Sequence, residues 1–303
     1  MKDILFIEPV FKETIWGGDK LEKEFGYKIP SNKTGECWGI SAHKSGDCNV
    51  INMPGYTLSQ VWEEYHELMS DSKSKVFPIL VKIIDACQDL SIQVHPDNEY
   101  AARVENTLGK HECWYILPSD KNASLVMGHN ASTLDELKEY VEEKRYDELL
   151  RVVPVHNGDF YDIPAGTIHA IKAGCLLYES QQSSDITYRF YDYDRKDANG
   201  NLRELHVKKA LDVTTVPQVL EEVESVPNDF GRHYLTTDYF EVDKWVIHNK
   251  LETNNYNMLL CTVIVGEGEV NGYDIIKGDH FIIPKCTDHI VINGTLEIMV
   301  TSI

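Results

Sequence analysis

The sequence predicts a mainly β protein made of two β units with a few packed helices, and three observations carry that expectation. Most segments are short, rich in Val, Ile, Tyr and Phe, and punctuated by Gly, Asn and Pro, the pattern of an antiparallel sandwich or barrel. Helical periodicity is confined to three stretches. A pattern also recurs: "GDFYDIPAGTIH" (158–169) and "GDHFIIPKCTDH" (278–289) share Gly-Asp, Pro and His at the same offsets, which suggests two related β units.

With 303 residues, 42% of them hydrophobic, the chain can bury one large core or two modest ones. The expected division is 1–235 for the unit that carries the chemistry, with helical insertions, and 236–303 for a degenerate, metal-free β unit. The net charge of -20 argues against nucleic acid and acidic membrane surfaces as partners, since both are polyanions. It also means that an anionic substrate would need a local focus of cations. The seven cysteines are odd in number, scattered and never in a Cys-x-x-Cys pair, so reduced thiols are expected. The N-terminus "MKDILFIEPVFKETIWGG" lacks a secretory core, and no apolar run is long enough to span a bilayer. A cytoplasmic protein is expected, acting as a monomer or small homo-oligomer.

Taken along the chain, "TLSQVWEEYHELM" is the first helix, with a capping box at Thr57 and Gln60 and an apolar stripe of Leu58, Val61, Trp62, Tyr65, Leu68 and Met69. "LSIQVH" then reads as a strand whose alternation puts Leu90, Ile92 and Val94 on one face and Ser91, Gln93 and His95 on the other. A short helix starts at Asp97 and stops before Gly109. "ECWYIL" is the next strand, and antiparallel pairing with the previous one would set the Glu112 carboxylate beside His95. "STLDELKEYVEEKRYDELL" is a third helix, capped at Ser132 or Thr133, with Leu134, Leu137 and Val141 as its stripe. In "IPAGTIH", Pro164 and Gly166 form a turn that would hold His169 at a barrel mouth. In "ITYRFYDYD", alternation places Arg189 and Tyr191 on one face and Tyr188, Phe190 and Asp192 on the other.

Gln93, His95, Glu112 and His169 are nitrogen and oxygen donors of the kind that a catalytic zinc or iron site needs on a rigid scaffold. A Gln-x-His pair alone equally suits an exposed polar edge. The combination is more telling than any member. Before the second repeat, "MLLCTVIVGEGEV" offers no His or Gln, so His289 is expected as a surface or core-edge histidine.

The Pro-x-Gly-x-x-His of Pro164–His169 resembles the second cupin motif, with Ala173 at the usual Asn position. "PILVKIIDACQDLSIQVHPDN", "GKHECWYIL" and "IPAGTIHAIKAGCLLYESQQSSDITYRFYDYDR" together resemble the type I mannose-6-phosphate isomerases, in their short bacterial form, most densely from Phe77 to Arg195. The resemblance implies cupin (jelly-roll) barrels and one zinc per chain held by Gln93, His95, Glu112 and His169. It also implies a catalytic Arg189, and interconversion of mannose 6-phosphate and fructose 6-phosphate through a cis-enediol. Longer relatives reach the glutamate through Asn-His-Lys-Pro-Glu; here Gly109-Lys110-His111-Glu112 keeps the Lys, a second catalytic candidate, and loses the Pro. Trp16, Gly17, Gly18 and Glu36 also match family positions and are expected as fold determinants or pocket walls.

A planar, permanently charged guanidinium such as Arg189 can hold a hydroxyl or phosphate by two donors, or sit in an ion network with nearby aspartates. Lys82, Lys110 and Arg189 are the expected cationic focus, and Ser91, on the His95 face, is expected to contact phosphate or sugar. His111, Lys110, Asp185 and Glu179 all stand as candidates for the proton-transfer base. Two rival readings stay open. His95, Glu112 and His169 also make the two-His-one-carboxylate set of non-haem Fe(II) oxygenases, where a fourth ligand such as Gln93 is unwelcome. A metal-dependent sugar-binding module would keep the ligands without turnover.

Overall fold

The computed structural model describes residues 3–197 and 199–303. Its three large sheets are stacked in layers. A five-stranded sheet runs in the order Leu150–Pro154, Ser124–His129, His169–Ile171, Ile92–Val94, Tyr188–Tyr191. A six-stranded sheet faces it, in the order Phe160–Ile163, Glu112–Ile116, Leu176–Gln182, Ile79–Asp85, Thr34–Ile40, Val10–Gly18. Leu125, Met127 and Ile171 from the first meet Ile84, Trp114, Ile116 and Leu177 from the second in one buried cluster, as the inner faces of a sandwich must.

The outer face of the six-stranded sheet is also apolar. Ile79, Val81, Ile83, Tyr115 and Tyr178 pack there against Val242, Leu260, Ile282 and Met299 of a third, nine-stranded sheet. That sheet holds the strands from Val226 to Ser302 and two from the chain's start, Leu5–Glu8 and Asn49–Val50. Continuous burial on both faces explains why Ile79–Asp85 carries successive apolar residues on either side of Lys82 rather than an alternating pattern.

The repeat is structural. In both copies the Asp accepts a hydrogen bond from the backbone N–H three residues before it: Asp159 from His156 and Asp279 from Ile276, each at 2.8 Å. In both, the residue three after the Pro closes the turn, Thr167 N–H to Pro164 O at 3.1 Å and Thr287 N–H to Pro284 O at 2.9 Å. The two copies sit in different sheets.

Leu58–Met69 packs into the cluster between the six- and nine-stranded sheets, and Leu134–Glu142 packs on the five-stranded sheet. Leu58–Met69 starts with the Thr57 N–H donating to Gln60 Oε1 at 3.0 Å, as expected. Its stripe is narrower than periodicity suggested. Tyr65 leaves helical geometry, and after that kink Leu68 turns outward to 44% exposure. Asn98–Val104 is capped by Asp97, whose carboxylate accepts from Tyr100 N–H at 2.8 Å, and it ends earlier than Gly109. Leu134–Glu142 is capped by Thr133 and buries Leu137 and Val141 against the five-stranded sheet. Leu134 is exposed instead, because side chains in the first turn tilt back past the helix start. Lys20–Phe25, Tyr146–Leu149 and Val207–Val213 are helices too short to show periodicity in the sequence. Among the described residues no helix is long and apolar enough to cross a membrane.

Candidate metal centre and its pocket

The Ile92–Val94 and Glu112–Ile116 strands do not pair, contrary to the expected antiparallel arrangement. They lie in different sheets and face each other across the sandwich. Glu112 opens its strand between Ile163 and Gln181, in the six-stranded sheet. Gln93 and His169 are in register on neighbouring strands of the five-stranded sheet, and His95 follows the end of the Ile92–Val94 strand. The four side chains therefore converge from both walls.

Their geometry is that of a ligand set. Glu112 Oε1 lies 3.2 Å from His169 Nε2, and Glu112 Oε2 lies 3.5 Å from His95 Nε2. Gln93 Nε2 is 3.2 Å from His169 Nε2. His95, Glu112 and His169 each offer an atom within 4.8 Å of the others, and all three are buried. Both imidazoles are oriented by backbone carbonyls: His95 Nδ1–H donates to Ile186 O at 2.7 Å and His169 Nδ1–H to Thr167 O at 2.9 Å. That fixes the tautomer, so each Nε2 presents a lone pair towards the carboxylate, the arrangement that outer-shell partners impose on metal-binding histidines.

Lone pairs aimed at a buried carboxylate repel it, so the cluster calls for a cation. Lys110 supplies one, its Nζ 2.5 Å from Glu112 Oε2 and 3.2 Å from His95 Nε2. Neither Glu112 oxygen accepts a well-formed hydrogen bond, although both are buried. Burial, with the Lys110 charge, depresses His95 to about 3, and burial also lowers His169. Burial by itself would raise Glu112, but the Lys110 charge outweighs it and holds the carboxyl well below its usual range. The residues present fit a divalent metal: two neutral imidazoles, one carboxylate and one amide.

Local sequence explains the convergence. Lys110 N–H donates to Pro96 O and Gly109 N–H to Asn98 Oδ1, which ties the approach to Glu112 back onto the end of the His95 strand. Gly166 N–H donates to His95 O at 2.9 Å, so the Pro164–Gly166 turn holds His95 as well as His169.

The centre opens into a cavity of about 180 Å³ walled by Trp16, Glu36, Trp114, Glu179, Asp185 and the candidates Lys82, Ser91, Lys110 and Arg189. A larger cavity of about 610 Å³, under the Leu220–Ser225 segment, contains none of the four converging residues. The smaller one reaches the cluster, at Gln93 and Lys110. Lys82 Nζ sits 2.9 Å from Glu179 Oε1 and 3.9 Å from Glu36 Oε2. Burial opposes its charge, yet those carboxylates raise its pKa above the ordinary lysine range. Ser91 Oγ donates to Gln93 Oε1 at 3.2 Å. His111, a candidate base, points the other way; it pairs with Asp162 at 2.7 Å and lines a separate cavity.

Arg189 faces Gln93 in register, but the alternation expected after it fails. A bulge puts both Phe190 and Tyr191 where one residue should be, so Tyr191 aligns with Ile92 and stacks on Tyr146 outside the sandwich. Leu90 likewise departs from the face of Ile92 and Val94 and joins the inner cluster with Trp114, because regular strand begins only at Ile92. Several pocket residues went unread, among them two polar ones near Arg189. Thr187 belongs to the loop before the Arg189 strand, and Arg203 lies in irregular chain positioned by Asp192, which no local pattern announces.

Comparison with known proteins follows the same lines. Residues 4–147 match the family model described as phosphomannose isomerase type I, catalytic domain, and residues 231–303 match mannose-6-phosphate isomerase, cupin domain. The probable mannose-6-phosphate isomerase GmuF and the mannose-6-phosphate isomerase ManA, both of Bacillus subtilis, are each 47% identical, with 98% of each chain covered. A crystal structure of the mannose 6-phosphate isomerase from Bacillus subtilis superposes with a TM-score of 0.97 at 42% identity, over 100% of both chains. A mannose 6-phosphate isomerase solved with zinc and yttrium shares the fold, at TM-score 0.79 and 14% identity over 99% of both chains. None of these relatives is an oxygenase or a non-catalytic sugar binder by name.

Proposed function

The chain belongs to the type I phosphomannose isomerase family, and we propose that it interconverts mannose 6-phosphate and fructose 6-phosphate at one zinc ion held by Gln93, His95, Glu112 and His169. Family membership makes it a sugar-phosphate isomerase and an enzyme. The observation that supports the residue assignment is the pair of backbone-tethered imidazoles aimed at one buried carboxylate. A bound divalent metal supplies Lewis acidity at neighbouring sugar oxygens, which suits a reaction that develops charge on O1 and O2.

The chain's own side chains do the rest. Lys110, beside Glu112 and His95, is placed to hold or relay a proton at the sugar oxygens during the shift between C2 and C1. Arg189, across from Gln93, offers its guanidinium to the charge that develops in the enediol. Ser91 and Lys82 position the sugar, with Lys82 steadied by Glu179, itself held by the Trp114 indole N–H at 2.8 Å. Trp16 and Trp114 exclude water from the wall.

Residues 1–235 are assigned to the catalytic unit and 236–303 to a β unit that holds no metal; its His289 is exposed and pairs with Glu252 at 3.1 Å. A cytoplasmic setting agrees with seven free cysteines, and the net charge of -20 with the absence of nucleic acid or membrane partners. The enzyme is taken to act as a monomer or small homo-oligomer. A coupled assay that follows fructose 6-phosphate formed from mannose 6-phosphate should show turnover that a chelator abolishes and zinc restores. Turnover that survives complete removal of metal would refute the metal assignment.

A further inference from the structure

The pocket's cations are unequally committed. Lys110 is paired with Glu112, and Lys82 stands between Glu179 and Glu36, so the end that holds the four ligands carries three carboxylates against two ammonium groups. The opposite end is the reverse. Asp192 is gripped by two guanidinium groups at once, Arg203 through Nε at 2.7 Å and Nη2 at 2.5 Å, and Arg195 through Nη2 at 2.6 Å. Arg189 lies beside them with its Nε buried and unpartnered, and among the described residues no carboxylate is within ion-pair distance of it. Of the two arginines that line this end of the pocket, Arg203 is paired with Asp192 and Arg189 with no carboxylate among the described residues, so one guanidinium charge stands unpaired in a chain whose net charge is -20. Their mutual repulsion is visible in Arg189, whose pKa is lowered by burial first and by Arg203 next.

Placement sets the direction. His169, Gln93 and Arg189 stand in register on three adjacent strands, and Arg189 is on the edge strand of that sheet. The row therefore steps away from the candidate metal by about 4.8 Å per strand. Arg203, from the chain beyond that edge, lines the same pocket. Its Nε and Nη2 are spent on Asp192, which leaves Nη1 without a described partner. Arg195 faces elsewhere, its guanidinium 5.1 Å from the Tyr193 ring, and is not part of the pocket wall.

We propose that Arg203, locked in place by Asp192, is the phosphate anchor of this pocket and together with Arg189 selects a sugar bearing a terminal phosphate dianion. A phosphate monoester carries close to two negative charges at neutral pH, which suits an end of the pocket lined by two guanidinium groups, one of them unpaired. Planar guanidinium donors suit its oxygens better than lysines already held by carboxylates. Asp192 serves as the positioning residue, and Arg195 keeps that carboxylate from cancelling Arg203.

This inference rests on the isomerase reading, and kinetics with the metal-loaded enzyme separate the two. Arg203→Met should raise KM for mannose 6-phosphate by roughly 10- to 100-fold, the scale of a lost charge-assisted hydrogen bond, with kcat changed by less than about 3-fold. Inorganic phosphate should inhibit the wild type competitively, and its inhibition constant should rise in Arg203→Met by a similar factor. Arg203→Lys should recover part of both. Arg195→Met, which takes a partner from the same Asp192 without touching the pocket wall, should shift KM much less. Unchanged KM and phosphate inhibition in a folded Arg203→Met would overturn the proposal, as would equal effects of Arg203→Met and Arg195→Met. A wild type that does not turn over mannose 6-phosphate would instead sink the isomerase reading.

Discussion

At the scale of single residues, Arg189 is where the proposed isomerase and a non-catalytic sugar binder lead to different outcomes. Its guanidinium lies one strand from Gln93 and has no carboxylate partner among the described residues, so Arg189→Ala removes a preorganised charge without creating an unpaired anion. We expect kcat to fall by about 10²- to 10³-fold, as when one stabilising donor is removed, while zinc content measured by atomic absorption stays at one per chain. Glu112→Gln should do the opposite and empty the site, because the carboxylate is the only anion among the four ligands. Lys82→Met and Lys110→Met should each raise KM for the phosphosugar; an unchanged KM would remove that lysine from substrate contact. The four proposed ligands could be named from the sequence through the family resemblance, which singles out Gln93 and His95 on one strand face and Glu112 and His169, each of which opens a strand. Arg203 could not, since its place is set by a salt bridge to Asp192 reached through irregular chain.

At the scale of elements, alternation predicted which faces are armed but not where the strands go. Gln93 turned inward as expected, whereas the partner of its strand was misjudged, because the short Asn98–Val104 helix carries the chain across the sandwich instead of folding it back beside itself. The Phe190/Tyr191 bulge is equally silent in a sequence of alternating aromatics, yet it frees Tyr191 to stack outside while Arg189 stays inside. The Pro164–Gly166 turn was readable and is tightly constrained. Gly166 has φ +87°, and a Cβ there would come within 2.4 Å of Thr215 Oγ1. Left-handed backbone costs a non-glycine residue about 1–2 kcal/mol, and the Thr215 clash adds to it. Gly166→Ala should therefore lower thermal stability. It should also weaken zinc binding in a competition with a chelator, because Gly166 N–H holds His95 O and the same turn leads into His169. A variant that melts earlier but binds zinc as tightly as the wild type would show that the turn supports the fold alone.

At the scale of the whole molecule, the catalytic sandwich rests on the nine-stranded sheet through a buried polar pin at His280. The imidazole fits because Gly39 has no side chain; a Cβ there would lie 2.2 Å from His280 Cε1. The ring is satisfied on both sides. Tyr27 O–H donates to Gly278 O at 2.7 Å, so its oxygen accepts from His280 Nε2–H at 2.9 Å, and Thr262 O–H donates to Nδ1 at 2.9 Å. This chain admits only the neutral imidazole, and burial depresses His280 to about 3. A histidine with an ordinary pKa near 6.5 when unfolded then binds a proton more tightly in the unfolded chain, so its contribution to stability is complete above pH 6.5 and is lost as pH falls towards 3. The slope approaches about 1.4 kcal/mol per pH unit for this one group. The other buried histidines add slopes of the same sign, so the measurement is a difference. Denaturant unfolding of the zinc-loaded wild type and of His280→Gln, between pH 7 and pH 5, should give stabilities that converge as the pH drops. Parallel curves would mean that His280 accepts a proton in place and that the two sheets are pinned by packing alone.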